Sequence, residues 1–416
     1  MEYVMNDVGI KVKLFGLGGA GMHIVDAFAQ ESNGLFECHT LDTDAKAITT
    51  TQNTESHLIG KEICRGLGCG GDIDLAEKAI NSHREVISSW LEDADVIILV
   101  AGLGGGVGSA FSLLISELAE KTGAITLGFF VLPFSFEGAR FSKGENFINE
   151  LRPSLHGMFS IPNDLLLQEG DADQTALNGF EMGNRWILNS LSALSDVLFK
   201  NGIINQDLGS LKQLFQARGG KSLLAVSQDT NILDLADNAI ETHIQSLLMN
   251  PLLHQENQPK DLDGLMIVIK GNQSLELSII HKVASLIAQK FNFKKDILVS
   301  AYVDDSLINS LKISIFGKSE IDQIPKNKKL EGDLFSDDEG GSEELSKKKK
   351  SPNILKVHRS KLSKKGEKEM DDQKEFAFFD KEEDRGYFVD SSSKLFKGIN
   401  LDQPTYLRKG IKVKFK

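Results

Sequence analysis

Cysteine is scarce in this chain, basic charge is outweighed, and no long apolar run occurs; each shortage excludes a class of protein. Three cysteines (Cys38, Cys64, Cys69) among 416 residues make neither an even disulfide set nor a CxxC pair. Reduced thiols in a cytoplasmic protein are expected rather than a disulfide scaffold. No apolar run approaches the ~20 residues of a membrane span, so no direct span is expected. The opening MEYVMNDVG lacks a basic segment leading into an apolar one, and a signal peptide is not expected. Lys and Arg number 47 against 59 Asp and Glu, a formal net charge of -12. That balance argues against a nucleic-acid partner, since phosphate contacts need a basic surface. The nine histidines form no HExxH or other paired-ligand spacing, so no metal site is expected from them.

Apolar residues make up 41% of the chain, which suits a globular core, and the length has room for two or three domains. Up to about Lys200, short apolar strands such as Val96–Val100 and Ile125–Leu132 alternate with helical stretches such as Phe111–Lys121. Continuous apolar strands indicate a parallel sheet covered on both faces. From Leu211 to about Lys318 a second α/β region follows, with strands expected at Leu265–Ile269, Ile297–Val303 and Leu311–Phe316. The last of these, LKISIF, alternates as a half-exposed antiparallel strand does. Between the two regions, Phe180, Ile187, Leu188, Leu191, Leu194, Val197 and Leu198 fall at helical spacing. Their wide apolar face suits a central helix packed between two domains, and Asn201-Gly202 stops it. Residues 319–398 are rich in Lys, Glu, Asp and Ser and cannot bury enough apolar surface to offset their ordering entropy; a disordered linker is expected. Beyond it come LDQPTYLRK and the basic IKVKFK.

The chemistry lies in three glycine loops. An apolar strand runs into glycines in VKLFGLGGAG (Val12–Gly21) and again in VIILVAGLGGGVGSA (Val96–Ala110). A third loop, GLGCGGD, occupies Gly66–Asp72. Glycine lets backbone N–H groups crowd around an anion, and helix N-termini add a favourable dipole. A nucleotide held by its phosphates is the expected ligand. The first loop, with Asp42 or Asp44 about 20 residues later, also fits the dinucleotide site of an NAD-type oxidoreductase. That alternative leaves the second and third loops unexplained.

The ordered motifs GLGGAG, LDTDAKA, RGLGCGGD, AGLGGGVGSA, PFSFEG, IPND and GIINQD resemble the bacterial tubulin homologue FtsZ. The resemblance covers about residues 10–318, and LDQPTYLRK (Leu401–Lys409) resembles that family's C-terminal adaptor-binding peptide. It implies an α/β fold: a parallel-sheet GTP-binding domain (10–177), a central helix and catalytic loop (178–211), a second α/β domain (212–318) and a disordered tail. It further implies a GTP- or GDP-binding protein with Mg²⁺ that polymerises with itself, head to tail, into a ring at the division site. The tether to the membrane would be an adaptor such as FtsA. The expected phosphate cradle is Gly18, Gly19, Ala20 and Gly21, then Cys69, Gly70 and Gly71, then Gly104, Gly105, Gly106, Val107 and Gly108, with a hydroxyl from Ser109. Asp44 and Asp72 either position Mg²⁺ or cap helices. By resemblance Glu137 binds ribose, Asn163 lies by sugar and base, and Phe180 and Asn184 meet guanine.

Several positions depart from the family. Val107 replaces a phosphate-facing threonine, and His23 and Ala27 stand where asparagine and arginine are usual near the base. Phe141 holds an arginine position for which Arg140 can substitute. The catalytic loop keeps Asn205 and Asp207 but has Ser210 in place of a second carboxylate. Binding and assembly with slow turnover, completed by a neighbouring subunit, is the expectation; a GTP-binding scaffold without useful hydrolysis is the alternative.

Overall fold

The computed structural model describes residues 9–166, 176–227, 237–255, 258–259, 261–307, 310–320, 395–396 and 399–400. Six strands form the first sheet: β1 (Val12–Leu17), β2 (Glu37–Asp42), β3 (Glu55–Leu58), β4 (Val96–Gly102), β5 (Ile125–Leu132) and β6 (Gly157–Pro162). They pair in the order β3-β2-β1-β4-β5-β6, every pair parallel. In β4, Ile98 and Val100 join one core cluster, while Ile97 and Leu99 join another on the opposite face. A strand buried on both sides has no polar half, which is why this segment reads as an unbroken apolar run.

The central helix spans Ala176–Phe199. Its Trp186, Ile187, Leu191, Leu194, Val197 and Leu198 are buried with Leu14, Ile98 and Phe129 of the first sheet. The same cluster takes in Leu224, Met266 and Phe316 of a second sheet. That sheet comprises β7 (Lys221–Val226), β8 (Gly264–Gly271), β9 (Leu298–Val303) and β10 (Lys312–Ser319), in the order β7-β10-β8-β9. Strand β10 runs antiparallel to both β7 and β8, and β9 runs parallel to β8. The helices Asp237–Leu248 and Leu277–Lys290 cover the outer face through Ile240, Ile244, Ile279, Val283 and Ile287.

One strand departs from expectation. LKISIF is antiparallel, but β10 is not half exposed: Ile313 and Ile315 pack under the outer helices, while Phe316 turns to the central helix. Ser314, on the same side as Phe316, is only 6% exposed. The alternation marked two different buried faces, because the strand lies inside the sheet with the central helix beneath it.

As a separate unit, Leu395–Phe396 pairs antiparallel with Ile399–Asn400. Most of the expected linker (319–398), the peptide Leu401–Lys409 and IKVKFK lie outside the described residues. No helix among the described residues is long and apolar enough to cross a membrane.

Two contacts orient the central helix. Leu166, four residues beyond β6, lies against Gly183, where an added Cβ would stand 3.4 Å away. Phe199, the last helical residue, packs its ring at a tilt against Phe36, centroids 5.7 Å apart, and Phe36 immediately precedes β2. Since the strands are parallel, the helix starts at their carboxyl ends and finishes at their amino ends, about 36 Å away for 24 residues.

Candidate functional site

The carboxyl ends of the strands gather the three glycine loops. At the end of β1, Gly18 takes φ +70°, a conformation glycine adopts without Cβ strain. A Cβ there would stand 3.3 Å from the Gly108 nitrogen, so the first two loops touch. At Gly21 a Cβ would lie 2.1 Å from the Val100 carbonyl oxygen. The missing side chain seats the helix Gly18–Glu31 on β4. Gly19 and Ala20 are exposed, and nothing lies within 4 Å of a Cβ built on Gly19.

In the second loop, Gly104 (φ +83°) passes close under the Arg140 carbonyl, and Gly105 precedes the helix Gly106–Ala119. A Cβ on Gly108 would meet the Gly102 oxygen at 2.1 Å; one on Gly106 would meet the Cys69 sulfur at 2.5 Å. That second contact brings the third loop alongside the other two. Val107 is buried against Gly18. Ser109 is fully buried, and its Oγ accepts the Gly104 N–H at 3.0 Å. The hydroxyl expected at the phosphates braces the loop from within.

The third loop hangs on two residues behind it. Thr43, fully buried, accepts the Cys69 N–H on its Oγ1 at 3.0 Å and the Gly68 N–H on its carbonyl at 3.2 Å. Asp42 Oδ1 accepts the amides of Thr43 (2.6 Å) and Asp44 (2.9 Å). Burial raises the Asp42 pKa against the lowering effect of those amides. An Asp42 occupied in this way is not presented to a ribose. Thr43 is a residue that sequence reasoning misses; its only signal is its place in the LDTD segment that closes β2. Gly70 and Gly71, at φ +59° and +84°, are exposed with open space before them.

Asp44 and Asp72 both act as N-caps: Asp44 Oδ1 accepts the Lys46 N–H at 2.8 Å, and Asp72 Oδ1 the Leu75 N–H at 3.1 Å. Each keeps its second oxygen outside the cap. Glu137 accepts the Phe134 N–H at 3.0 Å and pairs with Arg140 at 2.8 Å. The Arg140 guanidinium comes within 4.0 Å of a Cβ on Gly105, next to the loop. Asn163 is buried at the end of β6, and Asn184, half-buried, follows Gly183 on the central helix. The Phe180 backbone is helical, but its side chain lies outside the described residues. Among the two base-side departures, His23 is exposed and Ala27 half-buried.

The residues fit a polyanion. Two 14-residue helices begin at Gly18 and Gly106, so both bring the positive end of a dipole and unpaired first-turn amides to one place. Open space before Gly19, Gly70 and Gly71 lets a phosphate approach the backbone.

Asn205 and Asp207 sit elsewhere, in the loop after the central helix, at the amino ends of the strands. Asn205 Oδ1 accepts the Gly202 N–H at 2.6 Å. Ile203 and Ile204 are tied to Ala301 of β9, and Gln206 Nε2 donates to the Val299 carbonyl at 3.0 Å. Asp207 caps the helix Leu208–Leu214, accepting the Ser210 N–H at 2.8 Å and its hydroxyl at 3.0 Å. Those bonds hold its carboxyl below the usual range, and the side chain is exposed.

Comparison with known proteins agrees with this geometry. Residues 11–171 match the model of the Tubulin/FtsZ family, GTPase domain. The fold is similar to that of an FtsZ dimer from M. jannaschii, with 24% identity over 74% of this chain and 88% of that one and a TM-score of 0.67. It is also similar to a GTPγS-bound protofilament of CetZ2 from Haloferax volcanii, with 18% identity over 75% and 94% of the two chains and a TM-score of 0.62.

Proposed function

We propose, from the match of residues 11–171 to the model of the Tubulin/FtsZ family, GTPase domain, that this protein binds GTP and GDP with Mg²⁺ and polymerises head to tail. Each subunit would then hydrolyse its neighbour's nucleotide slowly. The carrying observation is the separation of the two halves of the site. The glycine loops lie at the carboxyl ends of the parallel strands; Asn205 and Asp207 lie beyond the far end of a helix about 36 Å long. No subunit can bring its own Asp207 to its own loops, but a second copy stacked on the first can. Such a heterologous contact does not close, and it builds a filament.

In this reading the amides of Gly18–Gly21, Cys69–Gly71 and Gly104–Gly108 hold the phosphates, and Arg140 adds positive charge beside them. Glu137 takes the ribose, Asn163 the sugar edge, and Phe180 with Asn184 the guanine. The uncapped oxygens of Asp44 and Asp72 would hold Mg²⁺ or its waters, and the cation would supply positive charge against the phosphates. Asp207 orients and polarises the attacking water, helped by Asn205. With Ser210 beside it, only one carboxylate of the loop serves.

The polymer is assigned to the cell-division ring on the strength of Leu401–Lys409. Leu401, Tyr406 and Leu407 around Pro404 form a short apolar set able to fold into a groove on a membrane-tethering adaptor such as FtsA, the chain before it setting the reach. A GTP-binding scaffold without hydrolysis is the second reading, favoured by Ser210 and Val107. Light scattering with GTP, GDP and a slowly hydrolysed GTP analogue, alongside phosphate release, decides. Assembly with GTP and slow release supports the first reading; assembly without release supports the second; no assembly under any nucleotide refutes both.

A further inference from the structure

His39 and His57 are 18 residues apart in sequence, and the parallel register of β2 and β3 brings them together. His39 lies opposite Glu55 across the strands, and His57 follows one step along, opposite Leu41. His39 Nδ1 and His57 Nε2 are 3.1 Å apart. Glu55 reaches both rings, with Oε2 3.6 Å from His39 Nδ1 and Oε1 3.8 Å from His57 Nε2. Donors on a tetrahedral cation with bonds of the usual Zn–N and Zn–O length stand about 3.3–3.4 Å from one another. The nitrogen–nitrogen separation is just under that value, and each Glu55 oxygen stands just beyond it from its own histidine nitrogen.

The surroundings hold both rings in place. His39 is fully buried, its ring stacked with Phe15 at 5.0 Å and with Trp90 at 5.8 Å, and His57 stacks on Trp90 at 4.0 Å. The second nitrogen of His39, Nε2, is held by Glu37 Oε1 at 3.0 Å. Glu37 is in turn 3.6 Å from Lys13 Nζ, which also donates to the Trp90 carbonyl. A carboxylate on the distal nitrogen fixes the tautomer that leaves Nδ1 as a lone-pair donor, which is how metal-binding histidines are usually oriented. Glu55 is 66% exposed, so the group opens to solvent on one side, where an ion can enter and a water can complete the set.

We propose that His39, His57 and Glu55 form a site for one divalent transition-metal cation of the Zn²⁺ class, its fourth position filled by water. Two imidazoles and one carboxylate suit such an ion and not Mg²⁺, which takes oxygen ligands. The cation would staple β3, a four-residue strand at the sheet edge, to β2.

Cobalt(II) titrated into the full-length, chelator-treated protein without nucleotide tests this. One equivalent should give the intense visible absorption of tetrahedral Co²⁺, be displaced by Zn²⁺ and resist a large excess of Mg²⁺. Glu55→Gln and His57→Gln should each abolish the band, and Glu37→Gln should weaken binding by about tenfold while keeping it. Circular dichroism establishes that the variants fold. Zn²⁺ should raise the melting temperature of the parent and leave that of the folded His57→Gln variant unchanged. The proposal is overturned if the parent binds no tight equivalent, if His57→Gln binds as the parent does, or if a thiolate-to-cobalt band appears. Each of those results leaves the two rings as a hydrogen-bonded pair.

Discussion

Gly19 and Gly21, two residues apart, serve the first loop differently. Gly21 has no room for a methyl group, since the obstacle is the Val100 backbone at 2.1 Å, whereas Gly19 faces open space. Gly21→Ala should cost about 1–3 kcal/mol through overpacking and abolish nucleotide binding. Gly19→Ala should hold stability or raise it by up to about 1 kcal/mol while weakening GTP. Urea midpoints paired with isothermal titration separate the two, and equal stability losses would contradict the assignment. A second residue sets a pH limit. Burial, and then Arg218 and Lys318, lower the His156 pKa from 6.5 to about 4, and its Nδ1 accepts the Thr126 N–H at 2.9 Å. Between those pH values the unfolded chain takes up a proton that the folded chain refuses. Stability therefore rises with pH across the window and is lost as pH falls through it. His156→Asn, whose Oδ1 can accept the same amide, should flatten the acid limb of stability against pH; superimposable limbs would exclude His156. At this scale the sequence was legible wherever a residue works through its own backbone, as at Gly18 or Gly70. It was not legible for Thr43, or for the bracing bond of Ser109, because those depend on partners from other loops.

Elements were legible where one periodicity dominated. The unbroken apolar run of β4 and the helical spacing from Ile187 to Leu198 each had a single meaning. LKISIF did not, because alternation between two buried faces looks the same as alternation between core and solvent. The pairing of His39 with His57 was hidden for a related reason: strand register is not written in sequence spacing. The helix Leu208–Leu214 carries the catalytic prediction. Its cap is Asp207, whose Oδ1 is bonded to both the amide and the hydroxyl of Ser210. Ser210→Asp keeps the amide, removes the competing hydroxyl and adds a carboxylate in a first helical turn, where negative charge is favoured. GTP turnover should rise about tenfold or more, and Asp207→Ala should lower it at least as far. Phosphate release by both variants at matched polymer mass is the check; unchanged turnover in Asp207→Ala would remove that residue from the reaction.

At the scale of the whole molecule, the parallel sheet and the central helix set the glycine loops and the Asp207 loop at opposite ends, which the proposed function assigns to binding and to hydrolysis. The motifs marked both loops, yet the distance between them followed only from the helix and its two contacts, Leu166 with Gly183 and Phe36 with Phe199. The tail prediction belongs here too. Deleting residues 400–416 should leave GTP-dependent filaments intact in solution and abolish localisation at the division site. A truncated protein that still forms a midcell ring, with no other copy present, would show that the tail is not the tether. The shared site is the central claim, and GTP turnover per subunit measured against total protein concentration tests it most directly. Turnover should stay near zero at low concentration and climb once filaments form, since only then does a second subunit supply Asp207. Turnover per subunit that is constant across the whole range would contradict a site built from two copies.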